Sequence, residues 1–552
     1  MIALNKITGQ IIRSSLLYAS EEMGIALRNT AYSPNIKDRM DHSAALFDSE
    51  GRLLAQAEHI PVHIGSLPWG LKNLISTSAK EGLPFEQGSM LVANNPYITG
   101  THLNDVTVVA PIHFEGELVG FAANKAHHSD IGGSVPGSIN IDAKTLFDEG
   151  FVIDPKYLMR KGEFIEELLT FFSSNSRMPS ERLGDLKAQA AANITGIRRV
   201  RQIISKYGLP TFKEAASESF RYSESLTRHR ISSLNKGTYT AQDYLEHPDG
   251  HDSKLKAKLT ISKQRIEVDY TGTDEELDCP LNAVFGVTLS GVYFVIRTIL
   301  GDDIPANHGA FAPISVIAPK RTIVNPSFPH PVGGGNVETT QRNADLIYSA
   351  FSKAVPGKVP AASGGSMNNV MIGGLHNGKS WAFYETIAVG LGGRKGMDGI
   401  DGIHSNMTNT MNTPIEEIER SMPLLITSYE FRVDSSGAGK YRGGSGVLRS
   451  FRMMSDSTIF TVLADRERHG PWGLFGGGKG GKTQVILQRN NKRRKISAKG
   501  TLSLKNGDEI HVYTAGGGGY GLACQRNSNK IKEDISNELI TKNYAKKNYN
   551  CR

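Results

Sequence analysis

The sequence predicts a multidomain, mixed α/β protein whose N-terminal half is helical and hairpin-rich and whose C-terminal part is strand-rich and glycine-rich. Its 552 residues are too many for one ordinary hydrophobic core. Apolar residues recur at helical spacing in some segments and alternate with polar residues in others. Glycine contributes 59 residues, clustered for example at 333–335, 476–478 and 516–519, which indicates tight turns or close approach of the backbone to ligands or to other backbone.

The N-terminal half is predicted to begin with an amphipathic helix over residues 4–29, because apolar side chains from Leu4 to Leu27 recur every three to five positions. Pro34 interrupts this pattern, and a hairpin that turns at residues 48–51 is expected after it. The elements predicted next are a helix over 68–78, a strand over 90–93, a long hairpin with arms at 106–114 and 117–126, and mostly helical structure over 160–235.

A boundary is predicted near residues 235–237, where strand signals resume. The following elements are strands within 239–245 and 254–270, helices over 284–300 and 337–354, and a strand-rich region from about 424 to 513. The predicted domains are therefore residues 1–235, with a helical insertion at about 160–235, an α/β domain at 236–423, and a β-rich domain at 424–552.

The formal net charge of +8 is unevenly distributed along the chain. Much of the excess lies in the run at residues 491–495 and beyond Arg526. A nucleic-acid surface would combine basic residues with stacking aromatic side chains, which this run lacks, so no nucleic-acid partner is expected. We predict instead that residues 491–495 form the solvated turn of a hairpin between strands at 483–488 and 496–504.

The three cysteines, Cys279, Cys524 and Cys551, are widely spaced and form neither a disulfide framework nor a paired metal-binding motif. This usage is typical of a reducing compartment. The N-terminus lacks the pattern of a secretory signal, and no apolar run reaches the ~18 residues of a membrane-spanning helix. The sequence therefore predicts a cytoplasmic protein without a membrane partner.

The two ends of the long hairpin carry a concentration of histidine and aspartate. If Glu115 and Gly116 form a two-residue turn, Asp105 faces Ala126 across the hairpin. Because cross-strand neighbours have Cβ atoms about 5 Å apart, His102, Asp105 and His127 can converge. Two imidazoles and a carboxylate are a common ligand set for a catalytic divalent ion. Ordinary hydrogen bonding at a strand end is the alternative role for these histidines.

Two glycine-rich segments have the composition of anion-binding loops. Residues 476–483 have the spacing of a phosphate-binding loop, but a strand rather than a helix is predicted to follow, so a hairpin turn is expected there. Residues 333–336 precede a predicted helix and could hold an anion or an oxyanion, with simple turn chemistry as the alternative.

A series of short motifs runs through the chain in a characteristic order. In the N-terminal half these are DRMDHSAALFD at 38–48, HIPVHIGS at 59–66, NPY at 95–97, GTHLNDV at 100–106 and AHHSDIGG at 126–133. Later motifs are EG at 149–150, GGNVETTQR at 334–342, SMNN at 366–369, YET at 384–386, HSNMTNT at 404–410, RGGSG at 442–446, DR at 465–466 and GGGGYG at 516–521. With these motifs the chain resembles the hydantoinase B / 5-oxoprolinase family over about residues 5 to 550.

The resemblance implies a B-type subunit that holds a divalent metal ion, Mn, Fe or Zn. Carried over by motif, the metal ligands are Asp41, His102, Asp105 and His127. His128 and Asp130 are close supports and the candidates for moving protons in catalysis. ATP is expected to be used through a hydantoinase A-type partner with an actin-like ATPase fold, so a hetero-oligomer is expected. His42 departs from the family pattern, where an apolar residue is usual, and it adjoins Asp41.

The function implied by the resemblance is that of a metal-dependent subunit of an ATP-dependent cyclic amidase. In this interpretation the partner activates a lactam or cyclic imide with ATP, and this chain completes the ring hydrolysis. Two alternatives remain at this point. The chain could be the α-type subunit of an acetone-carboxylase-like enzyme, or a non-catalytic structural subunit in which a metal only clamps the hairpin.

Overall fold

A computed structural model describes residues 5–57 and 59–550 of the chain. It confirms the prediction of a mixed α/β architecture: four β-sheets are combined with helices that cover the first of them on both faces. Leu4 and Cys551, which entered the sequence analysis, lie outside the described residues. Within the described ranges, no helix is both long enough and apolar enough to cross a membrane.

The N-terminal half is built on a seven-stranded antiparallel sheet. Its strands are β1 (His42–Asp48), β2 (Leu53–Gln56), β3 (Met90–Ala93), β4 (Asp105–Phe114), β5 (Glu117–His127), β6 (Lys156–Arg160) and β7 (Glu163–Phe164), in the spatial order β2-β1-β5-β4-β3-β6-β7. The helices are α1 (Lys6–Thr30), α2 (Pro34–Lys37), α3 (His63–Lys80), α4 (Pro96–Thr99), α5 (Glu166–Ser174), α6 (Pro179–Tyr207) and α7 (Leu209–Ser232).

Strand β1 is buried on both faces because successive side chains point to opposite sides of the sheet. Ala44 and Leu46 pack in a core with α1, α6 and α7. Ala45 and Phe47 pack in a second core with α3. Helix α3 begins at His63 rather than at residue 68, with Pro68 inside it, and this earlier start places His63 in the helix.

The middle of the chain contains a second, four-stranded sheet and three helices. The elements are β8 (Gly237–Glu246), β9 (Asp252–Ile261), β10 (Ile266–Asp269), α8 (Phe285–Leu300), α9 (His308–Phe311), β11 (Ile314–Ile317) and α10 (Thr340–Ala354), with strand order β11-β10-β9-β8. A π-helical turn, Gly335–Thr339, leads into α10. Such turns are rare and occur frequently at functional sites.

The C-terminal region contains two further sheets that share one hydrophobic core. The elements are β12 (Asn369–His376), β13 (Lys379–Glu385), α11 (Ile415–Ser421), β14 (Leu424–Phe431), β15 (Val447–Met453), β16 (Ser457–Leu463), β17 (Gln484–Arg489), β18 (Lys492–Ile496), β19 (Lys499–Leu504), β20 (Glu509–Tyr513), α12 (Ser528–Ser536) and α13 (Lys542–Asn548). The strand orders are β13-β12-β16-β19 and β14-β15-β20-β17-β18. The domain division remains a prediction; β12 and β16, on either side of residue 423, are neighbours in one sheet.

The register predicted for the long hairpin was wrong by one residue over most of its length. Phe114 pairs with Glu117 as expected, but a β-bulge follows between Ile112 and His113. Beyond the bulge, Asp105 pairs directly with His127 instead of Ala126. The extra residue in β5 therefore brings these two predicted ligands opposite each other, at the closest cross-strand distance.

The interpretation of residues 491–495 as a turn was also wrong. The turn lies at Asn490 and Asn491, both with positive φ, and the basic residues form the edge strand β18. Charged side chains are a common protection of an exposed sheet edge against pairing with another chain. The strand over 499–504 belongs to the other C-terminal sheet.

The glycine clusters of the C-terminal region pack backbone against backbone. We call this packed set of segments the glycine array. Its segments are residues 361–364, 390–393, 437–446, 472–481 and 515–521, which exchange backbone hydrogen bonds. Gly393 N donates to Gly518 O at 2.9 Å, and Gly517 N donates to Gly444 O at 2.8 Å. Most positions in the array leave no room for a side chain; a Cβ at Gly477 would lie 2.0 Å from Gly519 O.

The segment with phosphate-loop spacing, residues 476–483, belongs largely to this array and is not a simple hairpin turn. Most of its amides already donate to backbone carbonyls: for example, Gly478 N donates to Ala438 O at 2.7 Å and Gly481 N donates to Ser435 O at 2.6 Å. Strand β17 follows it, as the sequence predicted. The segment therefore lacks the helix N-terminus that a phosphate-binding loop requires.

Candidate metal centre

Three of the four predicted ligands meet at one end of the long hairpin. His102 Nε2 lies 3.1 Å from Asp105 Oδ1, and His127 Nδ1 lies 3.2 Å from the same oxygen. The two ring nitrogens are 3.1 Å apart. All three residues are buried, and each offers one ligand atom within 4.8 Å of the others. We call these three residues the metal cluster.

Local structure places each member of the cluster. Helix α4 ends at Thr99 and is capped by Gly100, whose φ of 87° is a left-handed conformation that glycine adopts readily. The chain then turns to bring His102 into the cluster. Asp105 is the first residue of β4 and His127 the last of β5, and the bulged register pairs them.

The donor set fits a divalent metal ion. Ligands about 2.0–2.2 Å from one ion lie about 3.0–3.5 Å from each other, which agrees with the three separations in the cluster. Two imidazole nitrogens and a carboxylate oxygen lie within 3.2 Å of one another. The other nitrogen of each ring, His102 Nδ1 and His127 Nε2, has no hydrogen-bond partner within the described part of the chain.

The electrostatics of the cluster favour the ligand forms of Asp105 and His127. Burial works to raise the pKa of Asp105, but His102, His127 and His63 outweigh it and hold that pKa well below 3.8. Burial lowers the pKa of His127, which keeps its ring neutral. Metal binding requires an ionised carboxylate and neutral imidazole. For His102, Asp105 outweighs burial and raises the pKa, so a metal ion would compete with a proton there.

Asp41, the fourth predicted ligand, lies beside the cluster rather than within its 4.8 Å group. Its carbonyl accepts a hydrogen bond from His127 N at 3.0 Å, and its charge acts to raise the pKa of His127. Met40, immediately before it, has a φ of 56°, which is strained for a side-chain-bearing residue and typical of functional sites. His42, which departs from the family pattern, packs against His59, with ring centroids 4.8 Å apart.

His63 and Lys125 also lie at the cluster, and neither was predicted from the sequence. His63 Nε2 is 3.3 Å from Asp105 Oδ2, and its Nδ1 is 2.9 Å from Ser43 Oγ. The sequence feature that could have indicated His63 was its position in the motif at residues 59–66. Lys125 is fully buried and donates to Thr99 O at 2.8 Å; burial lowers its pKa to about 7, although Asp105 acts in the opposite direction.

The structure does not bring His128 and Asp130 into the cluster. His128 Nε2 lies 3.0 Å from Gln189 Oε1 on α6, and burial lowers the pKa of this histidine to about 4. Both carboxylate oxygens of Asp130 accept hydrogen bonds, from Gly132 N and Gly137 N and from the backbone and side chain of Arg177. These contacts fix the loop after β5. A proton-transfer role for either residue remains a prediction.

A buried line of contacts supports His127 from the C-terminal region. The ring of Tyr384 stacks on that of His127, with centroids 4.5 Å apart and an angle of 18° between the planes. Tyr384 donates its hydroxyl to Asn369 Oδ1 at 3.0 Å, and Asn369 Nδ2 donates to Glu338 Oε1 at 3.0 Å. Arg39 lies over the Tyr384 ring, 5.0 Å from its centroid.

The glycine-rich segment predicted to hold an anion contacts a carboxylate of this same chain. Glu149 accepts hydrogen bonds from Val332 N at 3.1 Å and from Gly333 N at 2.7 Å. Burial raises the pKa of Glu149 to about 7, and the two amides act in the opposite direction. From the same segment, Asn336 Nδ2 lies 3.4 Å from Asp105 Oδ2.

Comparison with known proteins identifies the family. The sequence model of the hydantoinase B/oxoprolinase family matches residues 5–523. The chain belongs to the hydantoinase B/oxoprolinase family. This confirms the resemblance found in the sequence motifs.

Relatives within the hydantoinase B/oxoprolinase family differ in length. An uncharacterised protein of Methanocaldococcus jannaschii is 47% identical, over 100% of this chain and 96% of its own length. A 5-oxoprolinase of Dictyostelium discoideum is 34% identical over 94% of this chain, but the match covers only 40% of that enzyme. The ATP-dependent caprolactamase from Pseudomonas jessenii has a similar structure, with a TM-score of 0.92, 26% identity, and coverage of 99% of this chain and 96% of that chain.

Glu338 gives this hydantoinase B/oxoprolinase chain a pH-dependent stability. Burial and then the charge of Asp465 raise the pKa of Glu338 from 4.5 to about 8. The folded state therefore keeps a proton that the unfolded chain releases, so this contribution is complete below pH 4.5 and is lost as the pH rises to about 8. Glutamine at this position stays neutral. As the pH rises from 4.5 to about 8, we therefore expect the free energy of unfolding to fall less in Glu338→Gln than in the unmodified chain. Thermal unfolding midpoints at about pH 5 and pH 8 test this; equal losses in both proteins would refute it.

Proposed function

We propose that this chain is the metal-bearing subunit of an ATP-dependent cyclic amidase of the 5-oxoprolinase/hydantoinase type. The observation that carries the proposal is the metal cluster of His102, Asp105 and His127, buried and suited to Mn, Fe or Zn. The names of a 5-oxoprolinase relative and of an ATP-dependent caprolactamase of the same fold support a lactam or cyclic imide as substrate.

The use of ATP is assigned in this proposal to a separate partner. The chain matches only 40% of the length of the Dictyostelium 5-oxoprolinase, so a large part of that enzyme has no counterpart here. The segment of this chain with phosphate-loop spacing has most of its amides occupied by backbone carbonyls. We therefore propose a hydantoinase A-type subunit with an actin-like ATPase fold as the partner, in a hetero-oligomer.

The proposed reaction overcomes the low reactivity of a resonance-stabilised amide. The partner transfers the γ-phosphoryl group of ATP to the carbonyl oxygen of the ring and releases ADP. Water then adds to the activated carbon and the ring C–N bond breaks with a proton going to nitrogen, which leaves an open-chain acyl phosphate. A second water molecule hydrolyses the acyl phosphate to the amino acid and inorganic phosphate. A divalent ion held by the cluster would act as a Lewis acid and lower the pKa of a water molecule.

The residues of this chain hold and orient the reacting groups and exclude bulk water. Burial of the cluster strengthens its electrostatic interactions. Burial also lowers the pKa of His63, so its ring is neutral near pH 7. Its Nε2 faces the ionised Asp105 and carries the N–H, which leaves Nδ1, beside Ser43 Oγ, as the ring nitrogen that can accept a proton. We favour His63 for this step over His128 and Asp130, whose contacts lie away from the cluster.

The division of labour is tested by ATP turnover. The purified 552-residue chain alone is expected to hydrolyse ATP at no more than background rate. Addition of its A-type partner and a lactam should give ADP and ring-opened product in equal amounts. Liquid chromatography of nucleotides and products measures both. Substantial ATP turnover by the chain without a partner would contradict the proposal.

A further inference from the structure

The π-helical turn Gly335–Thr339 holds Asn336 rigidly at the metal cluster. Gly335 packs so closely on the chain that a Cβ there would lie 1.8 Å from Asn282 O. Gly335 N donates to Pro280 O at 2.8 Å, and Thr339 bonds to Leu281 O. The backbone on both sides of Asn336 is therefore anchored, and the residue is buried, with a relative exposure of 5%.

The amide of Asn336 has one satisfied end and one unsatisfied end. Its Nδ2 faces Asp105 Oδ2 at 3.4 Å. Its Oδ1 is buried and has no hydrogen-bond partner among the residues that the structure describes. A buried amide oxygen without a partner is unfavourable and rare in native proteins, so it calls for an explanation such as a bound group.

The neighbours of Asn336 fix the direction of its amide. An ionised carboxylate only accepts hydrogen bonds, so the amide nitrogen must face Asp105 and the oxygen must point elsewhere. The backbone donors of the preceding segment, Val332 N and Gly333 N, are already bonded to Glu149. The π-helical turn therefore offers an acceptor beside the metal cluster, which suits an N–H group and not the oxyanion considered from the sequence.

A lactam ring presents such an N–H next to its carbonyl. The amide is planar, and the ring forces it into the cis form, so the C=O and the N–H project side by side from one edge. In an open-chain secondary amide, which is trans, the two groups point in opposite directions. A lactam carbonyl directed at the metal cluster thus carries its N–H towards the neighbouring acceptor.

We propose that Asn336 Oδ1 accepts the ring N–H of the substrate and so selects cyclic secondary amides. This inference rests on the proposed function, because it requires a lactam at the metal cluster. It assigns Asn336 two contacts: Nδ2 orients the ligand Asp105, and Oδ1 binds the substrate.

The test measures binding to the Co²⁺-loaded chain by its visible absorption, with 2-pyrrolidinone and N-methyl-2-pyrrolidinone as probes. The unmodified chain should bind the N–H lactam at least about tenfold more tightly, since the methylated ring leaves the acceptor unpaired. In Asn336→Leu the preference should fall to about twofold or less while Co²⁺ remains bound. Asn336→Ala provides a second, smaller replacement with the same expectation.

The control removes another buried amide in the same region. Asn343, on α10, has its amide bonded to Thr288 O and Tyr270 and does not contact the cluster. Asn343→Leu should keep the preference for the N–H lactam. An unchanged preference for the N–H lactam in both Asn336 variants, or no effect of either lactam on the Co²⁺ spectrum, would overturn the inference about Asn336 and leave the proposed metal centre standing. Failure of the unmodified chain to bind Co²⁺ would instead contradict the proposed metal centre.

Discussion

Asp105→Ala and His102→Ala are each expected to abolish tight metal binding and lactam hydrolysis. Asp105 Oδ1 lies within 3.2 Å of both ring nitrogens, so either substitution removes one of the three donors of the cluster. Loss of groups that only orient ligands typically costs 10–100-fold in metal affinity, and loss of a ligand should exceed about 100-fold. Elemental analysis and competition with a chelator measure the metal, and binding of the A-type partner should be unchanged.

The matched control is His113→Ala in the same hairpin. His113 pairs with Leu118 beside the turn, at the opposite end of β4 from Asp105. This variant should retain its metal and its activity. A full metal complement with normal turnover in the Asp105 and His102 variants would refute the cluster, whereas equal damage from His113→Ala would indicate misfolding of the hairpin.

Gly517→Ala is expected to be strongly destabilising, although it adds a single methyl group. Gly517 lies in the middle of the glycine array, and a Cβ there would lie 2.1 Å from Leu391 O and 2.3 Å from Leu391 C. These neighbours are backbone atoms that cannot rotate away. Overpacking of this kind costs about 3 kcal/mol or more, so the thermal unfolding midpoint should fall by several degrees.

Gly500→Ala is the control for the glycine array. Gly500 lies in β19, and nothing lies within 4 Å of a Cβ built there. Alanine should therefore change the unfolding free energy by less than about 1 kcal/mol, or stabilise the strand slightly. A midpoint for Gly517→Ala that matches that of Gly500→Ala would show that the array tolerates side chains and would contradict the close packing.

The hairpin and the convergence of its histidine and aspartate side chains could be predicted because they depend on local spacing. The arms were predicted at residues 106–114 and 117–126, and the turn at Glu115-Gly116 set the register near Phe114. The bulge could not be foreseen, since it depends on how β5 packs on its neighbours. It shifted the partner of Asp105 by one residue without changing which side chains converge, because His102, Asp105 and His127 lie at the same end of the hairpin.

Contacts between distant parts of the chain account for the residues that were misplaced or missed. Asp130 looked free for catalysis, but Arg177 reaches it just before α6. His63 reached the cluster because α3 begins earlier than its proline suggested. Neither contact leaves a periodic pattern in the sequence, so local reasoning could not find it.

The glycine clusters show a similar limit. Their composition correctly indicated close approach of backbone to backbone. Which clusters meet could not be read from the sequence, because the array joins segments from residue 361 to residue 521. The glycines that give residues 476–483 the spacing of a phosphate loop are required by close packing. A Cβ at Gly480, for example, would lie 2.1 Å from Gly516 O.

The central claim, that this chain supplies a metal centre for ring hydrolysis, is tested most directly by metal depletion in the reconstituted complex. The chain is stripped of metal with a chelator, mixed with its A-type partner, ATP and a lactam, and ring-opened product is measured before and after addition of Mn²⁺ or Zn²⁺. The partner's own Mg²⁺ is supplied throughout. We predict no ring opening by the stripped complex and recovery when one equivalent of metal is returned to the unmodified chain, but not to Asp105→Ala. Undiminished ring opening by the stripped complex would contradict the account.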